Sequence, residues 1–339
     1  MTDQRVTDLP GLDLDRLAAH LGTGPLTGEI IPGGRSNLTY RVTDGERRWV
    51  LRRPPLGHVL ATAHDMAREY RVIKALADTA VPVPRVELLC EDTDVLGAPF
   101  YLMEEVPGAA LRHRDQCPWL TPDKARALSD RLVDVLADLH AVDPATVGLA
   151  DFGRPDGFLA RQVARWGKQL DASRSRDLPG IDQLRDRLAG TVPDSGRATV
   201  VHGDYRLDNV LVTEDPLDIS AVLDWEMATL GDPLADVGLL CVYWNGIGAQ
   251  DDPITGTVPT LPGFASTDEM VRRYAERSGA DVTGLAWYTA FAYFKLAVIL
   301  EGIHFRFTRG KTVGAGFDQI GQLTLPLVRQ GLAATSGEH

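Results

Sequence analysis

The chain has 339 residues, 44% hydrophobic and 24% charged, a balance that excludes a disordered or fibrous protein and leaves room for two cores. Its 35 Lys and Arg stand against 47 Asp and Glu, a net charge of −12, so neither nucleic acid nor an anionic membrane surface is expected as a partner. Cys90, Cys117 and Cys241 lie far apart with no CxxC pair, and Met1 to Val6 lacks the apolar core of a secretory signal, which together point to a reduced, cytoplasmic setting.

Taken in chain order, Leu12, Leu14, Leu17, Ala18 and Leu21 recur at near-helical spacing, so residues 1–27 read as a helical extension added to the rest of the chain. From Gly28 to Leu51, apolar runs broken at Gly33-Gly34 and Asp44-Gly45 predict an antiparallel meander. Residues 61–77 place Met66, Tyr70, Ile73 and Ala77 on one helical face, and Val81-Pro-Val-Pro84 stops that helix. A strand pair is expected near Val86 to Cys90 and Phe100 to Met103. The segment Glu104 to Gly108, with Pro and Gly directly after an apolar strand, is a natural hinge.

Past the hinge, Thr121-Pro122 reads as a cap and first helical position, and Leu128, Leu132, Val135, Leu136 and Leu139 form one stripe. Residues 150–197 are polar and rich in Arg and Asp, with scattered helical character only. The stretch Leu285 to Leu300 is shorter than the roughly 20 residues a bilayer requires and contains Lys295, so it reads as a buried helix. The expected architecture is α+β: a small antiparallel-sheet lobe over residues 28–105 and a larger, mainly helical lobe over residues 106–339.

The segment Thr199 to Thr213, followed by Ile219 to Glu226, concentrates the chemistry. A short apolar strand delivers His202 and Asp204 into a loop that Asn209 closes, and a hairpin then carries Asp224. Phosphoryl transfer needs a carboxylate near the acceptor hydroxyl and hard oxygen ligands for Mg²⁺, and Asp204, Asn209 and Asp224 are of those types. Asp232-Pro233 and Asp236 fit a helix start, where acids favour the positive end of the dipole.

Three motifs in order, His202-Gly-Asp-Tyr-Arg-Leu-Asp-Asn209, Asp224-Trp-Glu226 and Gly231-Asp-Pro-Leu-Ala-Asp236, resemble the signature of the aminoglycoside phosphotransferase-like family of small-molecule kinases. Gly33 to Tyr40, Val50-Leu-Arg-Arg-Pro-Pro55 and Phe100-Tyr-Leu-Met-Glu104 are similar to one subgroup of that family, found alone in many bacteria and elsewhere fused to acyl-CoA dehydrogenase domains. The resemblance runs from about residue 28 to about residue 310 and implies a two-lobed, protein-kinase-like fold that uses ATP and Mg²⁺.

By that resemblance, Asp204 takes or orients the acceptor proton, Asn209 and Asp224 hold Mg²⁺, and His202 is structural, donating a hydrogen bond under the loop. Asp236 braces the loop from behind, while Asp208 reads as a solvated or capping residue. Gly33, Gly34, Ser36 and Asn37 would approach phosphates. Arg52 stands where kinases carry a phosphate-anchoring lysine, with Glu69 as its partner, and a planar guanidinium is not equivalent to an ammonium. Met103, Glu104 and Val106 would line the adenine slot, and Arg306 and Arg309 either meet an anionic acceptor or are ordinary surface charges.

The acceptor is a small-molecule hydroxyl, either on a hydroxyacyl-CoA or related metabolite or on an aminoglycoside. The competing reading is a catalytically silent, nucleotide-binding regulatory module, which the Arg52 departure leaves open.

Overall fold

A computed structural model describes residues 9–32, 37–56, 64–246, 258–310 and 319–336. Two compact units divide the chain: Met1–Gly108 with Ser220–Ala228, and Ala109–Ile219 with Thr229–His339. The first unit therefore takes in Asp224, whereas the sequence pattern groups it with everything beyond residue 105.

In the first unit, α1 (Leu14–Leu21) leads into β1 (Thr27–Ile30), β2 (Leu38–Thr43) and β3 (Arg48–Arg53), then α2 (Met66–Leu76), β4 (Val86–Cys90), α3 (Thr93–Leu96) and β5 (Phe100–Glu104). The strands form one antiparallel sheet in the order β1-β2-β3-β5-β4. Alternation along β3 sorts its side chains between two faces. Trp49 and Leu51 join Tyr40, Val42, Phe100 and Leu102 in a core on one face, while Arg52, registered opposite Tyr101 of β5, belongs to the other.

The N-terminal helix is part of that core rather than an addition to it. Leu12, Leu17 and Leu26 are buried in the same cluster as Trp49 and Phe100. Asp13 caps α1 by accepting from the Arg16 amide at 3.0 Å, and Gly22, in the left-handed region at φ 65°, closes it with bonds to Ala18 and Ala19 carbonyls. An amphipathic stripe announces that a face will be buried but not against what.

Helix α2 starts at an Asp65 cap, which accepts from the Arg68 amide at 2.9 Å. Its buried face is Met66, Glu69, Val72, Ile73 and Leu76, so Tyr70 and Ala77 lie at the margin of the predicted stripe and an acid lies within it. The second piece of the unit docks through bonds that include three to backbone carbonyls: Val222 N–H donates to the Pro82 carbonyl at 2.8 Å, Arg68 donates to the Ala228 carbonyl at 3.1 Å, and Ser220 Oγ donates to the Pro107 carbonyl.

The second unit begins with α4 (Pro122–Ala141), capped by Thr121. All five leucines and valines of its predicted stripe are buried. The poorly patterned 150–197 region holds α5 (Phe158–Ser173) and α6 (Ile181–Gly190), whose buried residues include Phe158, Val163, Trp166 and Leu170 on α5 and Ile181, Leu184 and Leu188 on α6. Then come β6 (Thr199–Val201), β7 (Val210–Glu214), β8 (Leu217–Val222), along which the chain passes into the first unit, and β9 (Thr229–Gly231), which pairs antiparallel with β6. That pairing, with Val201 opposite Thr229, sets the end of β6 beside the start of β9, and α7 (Leu234–Asn245) follows β9.

Helices α8 (Thr267–Ser278), α9 (Leu285–Thr308) and α10 (Thr324–Ser336) complete the unit. Helix α9 has 24 residues, longer than its apolar stretch indicated, and is long and apolar enough to cross a membrane by length and composition. It instead packs among α5, α6, α7 and α10, and 78% of its most apolar window is buried in protein. Gly238 permits α7 to approach α9 closely, because a Cβ there would lie 2.7 Å from the Tyr288 carbonyl carbon.

Candidate active site

Within the second unit, the loop from His202 to Asn209 hangs from β6 and is held by side chains of α7 and α9. Asp236, almost fully buried in the first turn of α7, accepts the backbone N–H groups of His202 at 2.6 Å and Gly203 at 2.8 Å. Lys295 of α9 donates its ammonium to the Gly203 carbonyl at 2.6 Å. Both backbone groups of residue 203 are thus engaged from outside the loop at φ 82°, a left-handed conformation that glycine adopts without strain.

Asp204 comes next, with both carboxylate oxygens engaged. Tyr243 of α7 donates its hydroxyl to Oδ1 at 2.7 Å, and Asn209 Nδ2 donates to Oδ2 at 2.9 Å and to the Asp204 carbonyl at 2.8 Å. His202, buried beneath, accepts the Asp204 amide proton at Nδ1, 3.2 Å away, so at this nitrogen it receives the proton it was expected to give. Asp208 is not solvated: it pairs with Arg206, whose guanidinium lies 4.7 Å from the Tyr243 ring centroid.

The electrostatics follow from burial. Burial together with the Asp204 charge raises the Tyr243 pKa well above its ordinary value, so the phenol stays a proton donor. For Asp236, burial opposes the charge, but the hydrogen bond and charge of His140, followed by His202, outweigh it and lower the pKa. Burial lowers the Lys295 pKa against the pull of Asp204 and Asp236. Behind Asp236, His140 Nε2 lies 3.4 Å from its Oδ2 and His140 Nδ1 lies 2.8 Å from the Tyr274 hydroxyl.

Within the first unit a second group forms around Arg52. Its Nε donates to Glu69 Oε2 at 3.1 Å, and its Nη2 meets Glu69 Oε1 at 3.1 Å, Asp224 Oδ1 in a hydrogen-bonded ion pair, and Glu226 Oε2 at 4.0 Å. The Glu69 side chain is 1% exposed, that of Arg52 12%, and that of Asp224 31%. Burial works against the Arg52 charge, yet Glu69, Tyr101, Asp224 and Glu226 together raise its pKa. Burial also raises that of Glu69 despite its partner.

Asp224 is the one non-glycine residue with positive φ among those described, at 65°, a conformation that Asp tolerates better than most. Asn37 is buried, with its amide donating to Glu226 Oε2 at 3.2 Å and its oxygen 2.8 Å from His64 Nδ1. Its side chain is thereby engaged within the unit. Gly33, Gly34 and Ser36 lie outside the described residues.

Met103 is buried near the end of β5, Glu104 is bonded to Arg85 through its amide at 2.9 Å and its carboxylate at 2.8 Å, and Val106 is half-buried just beyond. Arg306 and Arg309 are exposed at the end of α9, where Arg309 stacks 4.0 Å over the Phe305 ring. Among the described residues, no three His, Cys, Asp or Glu gather as a metal cage.

The structure thus brings Asp204, Asn209, His202 and Asp236 together in one unit, and Arg52, Glu69 and Asp224 in the other. Sequence reasoning missed Tyr243, Lys295, Glu226, Tyr101 and His140. Glu226, the third member of the Asp224-Trp-Glu226 triplet, and Tyr101, within Phe100-Tyr-Leu-Met-Glu104, carried a signal that could have marked them.

A five-stranded antiparallel sheet with a strand arginine paired to a helix acid, and an H-G-D loop seated among helices, define a two-lobed α+β fold of the protein-kinase-like class. The model of the phosphotransferase enzyme family, APH, matches residues 27–282, and the chain belongs to that family. It is similar to acyl-CoA dehydrogenase family member 10 of Mus musculus, at 36% identity over 89% of this chain and 28% of the relative. It is also similar to a solved Ralstonia eutropha JMP134 structure with the provisional label of aminoglycoside phosphotransferase, at 34% identity, TM-score 0.83, covering 96% of this chain and 98% of that one.

The fold extends to the aminoglycoside phosphotransferase APH(4)-Ia solved with ADP and hygromycin B, at 18% identity and TM-score 0.63, covering 94% and 98% of the two chains. The chain spans less than half the length of the curated relatives it matches most strongly.

Proposed function

We propose that the chain is an ATP- and Mg²⁺-dependent kinase that transfers the γ-phosphoryl group to a hydroxyl of a small molecule. The observation that carries this reading is the Asp204 carboxylate, fixed by Tyr243 and Asn209 on a loop whose backbone Asp236 and Lys295 hold. A carboxylate set in this way takes or orients the acceptor proton as the hydroxyl attacks. The loose transition state of phosphoryl transfer leaves the protein chiefly to position the partners and stabilise charge.

The residues present suit a hard divalent ion. In the second unit, Asn209 commits its amide nitrogen to Asp204, which leaves its side-chain oxygen to a cation such as Mg²⁺, and in the first unit Asp224 is a carboxylate of the type such an ion takes. Bound Mg²⁺ would shield the phosphate charges. Arg52 would hold phosphate through its planar fork, Glu69 would aim Arg52, and the backbone of Met103, Glu104 and Val106 would receive the adenine.

The relatives named for acyl-CoA dehydrogenation support a hydroxyacyl-CoA as acceptor, while the fold neighbour bound to hygromycin B keeps aminoglycosides in the test. ATP consumption is therefore to be measured against hydroxyacyl-CoAs, aminoglycosides, choline and homoserine. Asp204→Asn is expected to lower turnover about 10²- to 10⁴-fold, the range of a lost general base. Turnover on one acceptor that Asp204→Asn leaves intact would remove Asp204 from the chemistry.

One observation favours a second reading, a nucleotide-binding regulatory module without transfer: Arg52 replaces the usual lysine and is shared among three carboxylates. Nucleotide binding with no turnover on any acceptor is its signature.

A further inference from the structure

Arg52 lies among several carboxylates of the first unit. One guanidinium faces Glu69, Asp224 and Glu226, all within 4.0 Å of its Nη2. Glu69 is held on the buried face of α2 with its Oε2 bonded to Arg52 Nε, so Arg52 keeps this partner wherever its outer nitrogen turns. Asp224 is the more exposed partner and sits on a chain segment that merely docks on the unit. The same Nη2 that completes the Glu69 pair also lies on Asp224 Oδ1.

We propose that Arg52 occupies Asp224 in the free protein and makes divalent-ion binding there conditional on nucleotide phosphate. A divalent cation on Asp224 would face the guanidinium at short range, a like-charge contact that is costly away from bulk water. A phosphate group relieves it, because Nη2 can leave the carboxylate for a phosphate oxygen while Nε remains on Glu69. Phosphate and ion then favour each other's binding, and by linkage the coupling is the same in both directions. The guanidinium makes that exchange with N–H groups fixed in one plane, where an ammonium would offer one rotating point charge. This inference rests on the proposed role of Asp224 as an ion ligand.

Mn²⁺ titrated by electron paramagnetic resonance, with and without saturating ADP and corrected for Mn·ADP in solution, tests it without any acceptor. The wild-type chain is expected to bind Mn²⁺ about 10-fold or more tightly with ADP than alone, within the usual span of coupling between sites. Arg52→Gln is expected to bind Mn²⁺ without ADP about 10-fold more tightly than wild type, with most of the ADP enhancement lost. Since Arg52→Gln leaves Glu69 buried and unpaired, the Arg52→Gln/Glu69→Gln double variant repeats the measurement without that charge. Arg52→Lys should fall between.

Equal Mn²⁺ affinity of wild type and the double variant without ADP, or of wild type with and without ADP, overturns the coupling while leaving Asp224 a ligand. If Asp224→Asn leaves Mn²⁺ binding in the presence of ADP unchanged, the ligand role falls and the coupling with it.

Discussion

Around Arg52, one cation is shared among three carboxylates, whereas Asp204 is held by a phenol and an amide, and its loop by a buried acid and a buried ammonium. In the first group one Arg52 nitrogen, Nη2, meets all three carboxylates. In the second, Asp236 meets two backbone amides with two oxygens and Tyr243 and Asn209 take one Asp204 oxygen each. On the proposed reading the first centre would receive phosphate and a metal ion, which profits from exchangeable partners, and the second would orient a proton acceptor, which profits from fixed ones.

The largest expected effect breaks the first group. Arg52→Met leaves Glu69 as a buried carboxylate without its partner and should cost about 3–5 kcal/mol in chemical denaturation, while Arg52→Met/Glu69→Leu should recover most of that, because apolar replacement of a buried pair is close to neutral. Additive losses in the double variant would mean that the pair does not act as a unit.

Next comes the second group. Asp236→Asn removes one of two acceptor oxygens and the charge, leaving a buried N–H of residue 202 or 203 unsatisfied at about 1–3 kcal/mol. Because the pKa of Asp236 is lowered in the fold from 3.8, its contribution is fully present above that value and is lost as pH falls through the lower, folded one. Stability measured between pH 5 and 2 should thus drop more steeply in wild type than in Asp236→Asn. Parallel acid limbs would place the dependence elsewhere.

The smallest effect sharpens the comparison. Tyr243→Phe removes one donor from Asp204 and is expected to cost about 1 kcal/mol in stability or less. It should lower kcat roughly 10-fold, the scale of one misdirected group, with the KM for ATP little changed. An unchanged kcat would show that Asn209 alone orients the carboxylate.

Much of the molecule is legible in the chain. The loop from His202 to Asn209 is local, its partner Asp236 comes within the span of one hairpin and one strand, and the Arg52 to Glu69 pairing is what the family resemblance implies. Tyr243 and Lys295 are not legible, because they reach the loop from helices 39 and 92 positions away, and an apolar helix displays no period that marks one polar member as inward. The docking of α1 is hidden for a related reason, since amphipathicity states a face and not a neighbour. Glu69 itself blurs the predicted stripe of α2, as a charge at an inward position is intelligible only once Arg52 is known to lie opposite.

The assignment of Ser220–Ala228 to the first unit means that the chain leaves that unit after Gly108 and returns to it about 110 residues later. No single cleavage can therefore yield the sheet unit whole. A fragment ending at Gly108 would retain Arg52 and Glu69 but forfeit Asp224, and supplying residues 220–228 as a separate peptide is the direct way to ask how much of the sheet's organisation that short visitor contributes.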